Sequence, residues 1–244
     1  MGIFGFGDGD DQKDDKTAPG KALERAEQKQ TGVSGLVVNL IQPLLDVGID
    51  GKGPLPSAQK VADAARLKSG TLEEAVDRVV RTHLALAGSG GFLTGLGGFV
   101  TLPLALPVNV VEFYLVATRM TAAIAALRGY DLTQPQIRTA VLLALVGADA
   151  DDLLRKAGVV TPTGKLTDLA AQRLPGPALM VVNKAVAFKL VSTVGRQTFT
   201  RLGRALPFAG GAVSAGLDTY MLKRIAHHTR AEFPQRAAGE ITSS

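Results

Sequence analysis

The chain has no cysteine, no tryptophan and only three histidines among its 244 residues. Without cysteine there is no disulfide and no thiolate metal site, which fits a reducing interior. His227 and His228 are adjacent, so on a helix they point about 100° apart, whereas a metal pair would use i, i+4 spacing. Aromatic residues make up 5% of the chain, all Phe or Tyr, and the apolar mass falls to Ala, Val and Leu. Residues that small let helices approach closely. No secretory leader is expected, because residues 1–16 hold five Asp and two Lys, with no basic stretch before an apolar one. Met1-Gly2 opens like an acylation signal, but Phe6 stands where Ser or Thr is required. The expectation is a protein on the cytoplasmic side, with no cofactor and no metal.

Catalytic signatures are equally scarce. Ser89 sits in AGSGG, one glycine short of a nucleophile elbow, and no strand precedes it. The neighbouring glycines lack the Lys-Ser/Thr ending of a phosphate loop. A hydrolase acting on lipid or peptide, using Ser89, Glu112 or Asp218, is the alternative to a non-enzymatic protein. A soluble helical interaction module is the third reading. Nucleic-acid binding would have the charge but lacks aromatic interleaving and a helix-turn-helix signal, so no nucleic-acid partner is expected.

What the sequence does have is a run of 28 residues, Leu84 to Val111, with no ionisable side chain. A bilayer span needs roughly 20 apolar residues. Yet this run holds six glycines and two prolines, Pro103 and Pro107. Proline removes a donor and blocks the preceding turn, which disfavours one straight helix through both. A second uncharged Gly-rich stretch, 205–217, is broken at Pro207. The two predict apolar helical hairpins, and Gly91/Gly95 and Ala212/Gly216 have the small-xxx-small spacing that strips bulk from one helix face. Mean hydropathy of +0.18 leans apolar.

Hydrophobic periodicity predicts helices throughout and no strands. Residues 1–18 read as a disordered acidic tail, 19–234 as one all-α, multi-helix domain, and 235–244 as a polar tail. Within the domain, a first helix over about Pro19–Val47 is weakened at Pro43. Ser57 caps a short helix to Lys68. Thr71 and Glu74 form a capping box that starts the next. A helix from Pro107 to Leu127 ends at Gly129, and another runs from Pro135 to Lys156 with Thr133 as its cap. A helix from Leu166 stops near Pro175, a long one ends near Arg204, and the last ends near Phe233.

Net charge is +5, but between Leu153 and Arg230 twelve Lys/Arg face only Asp168 and Asp218. On a wheel for helix 178–204 with Lys184 at zero, Met180, Val181, Ala187, Phe188 and Val191 fall within about 80° of zero. Lys189, Arg196, Arg201 and Arg204 take the opposite arc. This is the pattern of a basic amphipathic helix lying on an anionic membrane, or packed on other helices. Glu112 and Arg119 are seven apart in apolar surroundings, and Asp218 is similarly isolated. Buried charges need partners, so Arg119 is expected to pair with Glu112 or Asp218.

The blocks GSGGFLTGLGGFVTLPLALPVNVVEFYLVATRM (88–120), IAALRGYDL (124–132) and RALPFAGGAVSAGLDTYMLKRIAHHTRAEF (204–233) resemble the EcsC family. That family is named for a bacterial protein encoded beside an ABC transporter. The resemblance spans roughly 20–233 and implies an all-α domain with a link to membrane transport, but no catalytic residues. It places Arg119, Arg128, Tyr130, Asp131 and Asp218 at family-typical positions. The resulting expectation is a peripheral protein on the inner face of the cell membrane, holding lipid or a hydrophobic ligand or meeting a transporter subunit.

Overall fold

The computed structural model describes residues 41–53, 55–88, 108–156, 158–159, 162, 165–171, 176–202 and 210–236. No strand occurs among them, and the fold is all-α. In chain order the helices are α1 (Ala58–Leu67), α2 (Leu72–Gly88), α3 (Val108–Leu127), α4 (Pro135–Val146), α5 (Ala150–Lys156), α6 (Asp168–Ala171), α7 (Gly176–Leu202) and α8 (Gly210–Glu232). A π-helical stretch, Leu44–Ile49, precedes them directly after Pro43.

Helix starts follow local chemistry. Ser57 Oγ accepts from the Lys60 amide at 3.2 Å and so satisfies one free donor at the head of α1. At α2 the capping box is closed in both directions. Thr71 Oγ1 accepts from the Glu74 amide, and Glu74 Oε2 accepts from the Thr71 and Gly70 amides. Gly129, with φ of 87°, turns the chain out of α3.

The stretch expected as one helix to Lys156 is two. Gly147 adopts φ of 60°, a 3-10 turn follows over Gly147–Asp149, and α5 starts afresh at Ala150. Thr133 does not cap α4. Its amide and hydroxyl both donate to Asp131 Oδ1, and Gln134 takes the capping position without a side-chain bond.

The core is built around α3, which packs against the π-helical stretch, α1, α2, α4 and α8. Helices apolar on every side belong inside a domain, and every residue from Phe113 to Ala125 is buried. Its threonines are satisfied locally or across helices. Thr118 Oγ1 donates to the Tyr114 carbonyl at 2.7 Å, and Thr121 meets Thr229 of α8 at 3.2 Å. By contrast, α7 packs on α4 and α5, at the side of this core.

Candidate functional site

Four groups of residues compete for the role of functional site. The RGYDL segment after α3 is a clamp on the end of α8. Arg128 Nη1 donates to the carbonyls of Arg230 and Phe233, both at 2.9 Å, and Nη2 donates to Glu73 of α2 at 2.8 Å. A helix leaves its last carbonyls unsatisfied and carries partial negative charge there, so a guanidinium at that end is doubly favourable. Tyr130 completes the clamp. Its hydroxyl donates to the Pro234 carbonyl at 2.9 Å, and its ring packs edge-on against Phe233. The Arg236 guanidinium lies over the Tyr130 ring, while the Arg236 amide donates to the Arg128 carbonyl. Asp131, held low by the Thr133 bonds, shapes the turn into α4. Arg230 pairs in turn with Asp77 of α2 and so adds to the same lock. Through these contacts Arg128 and Tyr130 brace the end of α8, and Asp131 fixes the turn into α4.

Arg119 is buried in α3. Its Nη2 donates to the Val47 carbonyl in the π-helical stretch. Burial pulls its pKa down to about 10, which still leaves it charged. Glu112 is half-buried one turn into α3, and Asp218 is half-buried in α8. His83 of α2 is buried as well. Burial lowers its pKa to about 4, the Val79 carbonyl opposes that shift, and Arg119 adds to it. Sequence reasoning missed His83, although a lone histidine among Val79, Val80 and Leu84 was a visible signal.

The third group is the outer face of α7. Of the residues the wheel groups on one arc, Met180, Val181, Lys184 and Phe188 stay open, while Ala187 at its edge is packed. Val182, Val186, Ala187 and Leu190 are buried, whereas Met180 is 69% exposed, Val181 52% and Phe188 63%. Lys184 is exposed among them. The helix is apolar on two faces, and packing on α4 and α5 covers one. Lys189 is not part of the open face. It lies half-buried at 2.9 Å from Asp149 Oδ2. The side chains of Arg196, Arg201 and Arg204 lie outside the described residues, as do the centres of both Gly-rich stretches and Ser89.

The fourth is a cavity of about 550 Å³ between the end of α4, α7 and α8, with Tyr114 of α3 in its wall. Burial pushes the Tyr114 phenol up to about 12, so it stays a donor at neutral pH. Among the described residues, no group of His, Asp or Glu could hold a metal ion. No helix among them is long and apolar enough to cross a membrane.

Comparison with curated proteins and with solved structures finds no match. The model of the EcsC protein family matches residues 47–237, more than three quarters of the chain, and takes in both the α3 core and the RGYDL clamp. The chain belongs to the EcsC family.

Proposed function

We propose that this protein is a non-enzymatic helical domain that attaches peripherally to the anionic inner face of the cell membrane through the outer face of α7. The observation that carries this reading is the exposure of Met180, Val181 and Phe188 around Lys184 on one arc. An exposed apolar stripe with a cation inside it suits a helix lying in the headgroup region, where the lysine stem snorkels outward. The surplus of basic residues between Leu153 and Arg230 supports approach to an anionic surface.

Magnitudes favour reversible attachment. Full burial of a Val, Phe or Met side chain contributes about 1.5–3 kcal/mol. At the exposures given, the three contribute about 3–5 kcal/mol together, and a surface lysine adds about 1 kcal/mol on anionic lipid. That sum corresponds to roughly millimolar to 0.1 mM affinity, near that of one myristoyl chain. A transporter subunit, the other partner that the family resemblance implies, would be reached through the same attachment.

The test is co-sedimentation of the full chain with anionic and neutral vesicles at two salt concentrations. Binding to anionic vesicles, reduced but not abolished by salt, is expected, because salt screens charge and spares apolar insertion. Phe188→Asp removes about a third of the apolar contact and adds a repelled charge, so binding should fall at least tenfold. Equal binding by the variant would refute the reading.

A further inference from the structure

The cavity beside α8 has an asymmetric chemistry that the membrane reading does not use. Arg224, His227 and His228 lie at i, i+3 and i+4 on α8, so one helix face presents all three to the cavity. Lys189 enters from α7, and Asp149 is the carboxylate in the lining. That carboxylate is matched by Lys189 at 2.9 Å. Glu232 stands near His228, 3.9 Å from Nδ1, and its other oxygen accepts from the Leu166 amide at 2.8 Å. Arg224 and His227 have no ion-pair or hydrogen-bond partner among the described residues. His228 Nε2 is buried without a hydrogen-bond partner. The apolar part of the lining comes from Leu145 of α4, Leu190 of α7, and Met221 and Ile225, which flank the basic residues along α8.

A volume of about 550 Å³ is within the range of ligand pockets. A neutral apolar molecule would leave the cationic groups without a counter-charge, and a wholly polar anion would leave the apolar lining uncovered. We propose that this cavity binds a small anionic amphiphile, its oxyanion head against Arg224, His227 and His228 and its tail along Leu190, Met221 and Ile225. His228 Nε2, buried without a partner, gains one when the head is in place, and a buried polar group satisfied only by the right ligand is a strong source of selectivity. The head could belong to a membrane lipid or to a dissolved molecule, and the oxyanion-plus-alkyl chemistry is common to both.

The chain's three histidines make the test direct, because ring proton resonances report on each one. His83, buried on α2 and outside the cavity lining, is the internal control. Monomeric decyl phosphate, decanol and inorganic phosphate are titrated separately into the full chain. Saturable shifts of His227 and His228 with decyl phosphate, an unmoved His83, and at least tenfold weaker binding of the other two probes are expected. Arg224→Gln, at an exposed position, should weaken decyl phosphate at least tenfold at unchanged thermal stability, and His227→Gln should act in the same direction. Decanol or inorganic phosphate binding as tightly as decyl phosphate would overturn the proposal, and so would an Arg224→Gln variant with unaltered affinity. Vesicles containing phosphatidic acid form the second arm. Broadening of His227 and His228 there beyond that of His83, which reports attachment alone, assigns the head to membrane lipid, and response to the monomer alone assigns it to a dissolved ligand. Phe188→Asp should leave the monomer titration unchanged, which separates this site from the attachment face.

Discussion

Replacing Arg128 with alanine removes the clamp on the end of α8, and the structure sets the size of the effect. Two carbonyls, those of Arg230 and Phe233, lose a charged donor at 2.9 Å. Hydrogen bonds to charged groups contribute about 1.5–3 kcal/mol each, and a stranded buried acceptor costs about 1–3 kcal/mol. The third contact, to Glu73, contributes less, because Glu73 is 60% exposed while Arg128 is only 10% exposed. An exposed partner of this kind contributes about 0–1 kcal/mol. The expected loss is therefore about 3–5 kcal/mol, a large part of the 5–15 kcal/mol typical of a domain. For a domain of this size, 1 kcal/mol moves the melting temperature by about 2–4 °C, so the loss of about 3–5 kcal/mol should lower it by roughly 6–20 °C in Arg128→Ala. Arg128→Lys keeps the charge but not the planar fork and should fall between. Glu73→Gln should cost under about 1 kcal/mol. Thermal unfolding followed by circular dichroism measures all three. If Arg128→Ala is no more destabilised than Glu73→Gln, the clamp is not what holds α8, and a functional role for Arg128 returns.

Other consequences are testable in the same way. His83 stays neutral in the fold down to about pH 4, whereas the unfolded chain protonates it near pH 6.5. Between those values the unfolded state binds more protons, so stability rises with pH and is lost as pH falls from 6.5 to 4, by at most about 3 kcal/mol. His83→Gln should flatten that part of the urea-midpoint profile, and an unchanged slope would disprove the assignment. Gly51 and Gly53 both have positive φ, 77° and 61°, but differ in space. A Cβ at Gly51 would lie 2.6 Å from the Ser57 amide nitrogen and the Leu55 carbonyl, while at Gly53 it meets nothing within 4 Å. Gly53→Ala should thus cost about 1 kcal/mol of backbone strain, and Gly51→Ala clearly more by denaturant unfolding. Equal costs would mean that the loop yields freely.

Much of this architecture could be read from residue order, because helix ends are set by neighbours. Ser57, the Thr71–Glu74 box and Gly129 act within four residues of themselves, and each bounds a helix where expected. Thr133 misled for the same local reason, since Asp131 two residues earlier competes for its amide and hydroxyl. Gly147 lies inside the run expected as one helix to Lys156, and its positive φ divides α4 from α5. Long-range pairings were harder to foresee. Arg119 reaches a carbonyl 72 residues away, and Arg128 reaches carbonyls more than 100 residues away, and no periodicity encodes either. The wheel of α7 found an apolar arc but not which of two apolar arcs would pack, because that depends on where α4 and α5 lie. Adjacent histidines signal no metal pair in the sequence, and only the placing of α4 and α7 beside α8 makes His227, His228 and Arg224 line one hollow.

The account turns on whether the open arc of α7 is what meets lipid. Because the chain has no natural cysteine, single cysteines at Met180, Val181, Lys184 and Phe188 can each carry an environment-sensitive fluorophore, with Arg155 on α5, 72% exposed, as the reference position. Anionic vesicles should shift emission to the blue at positions 180, 181 and 188, less at 184, and not at 155. Emission at position 188 that stays as wet as at 155 when vesicles are in excess would contradict the attachment.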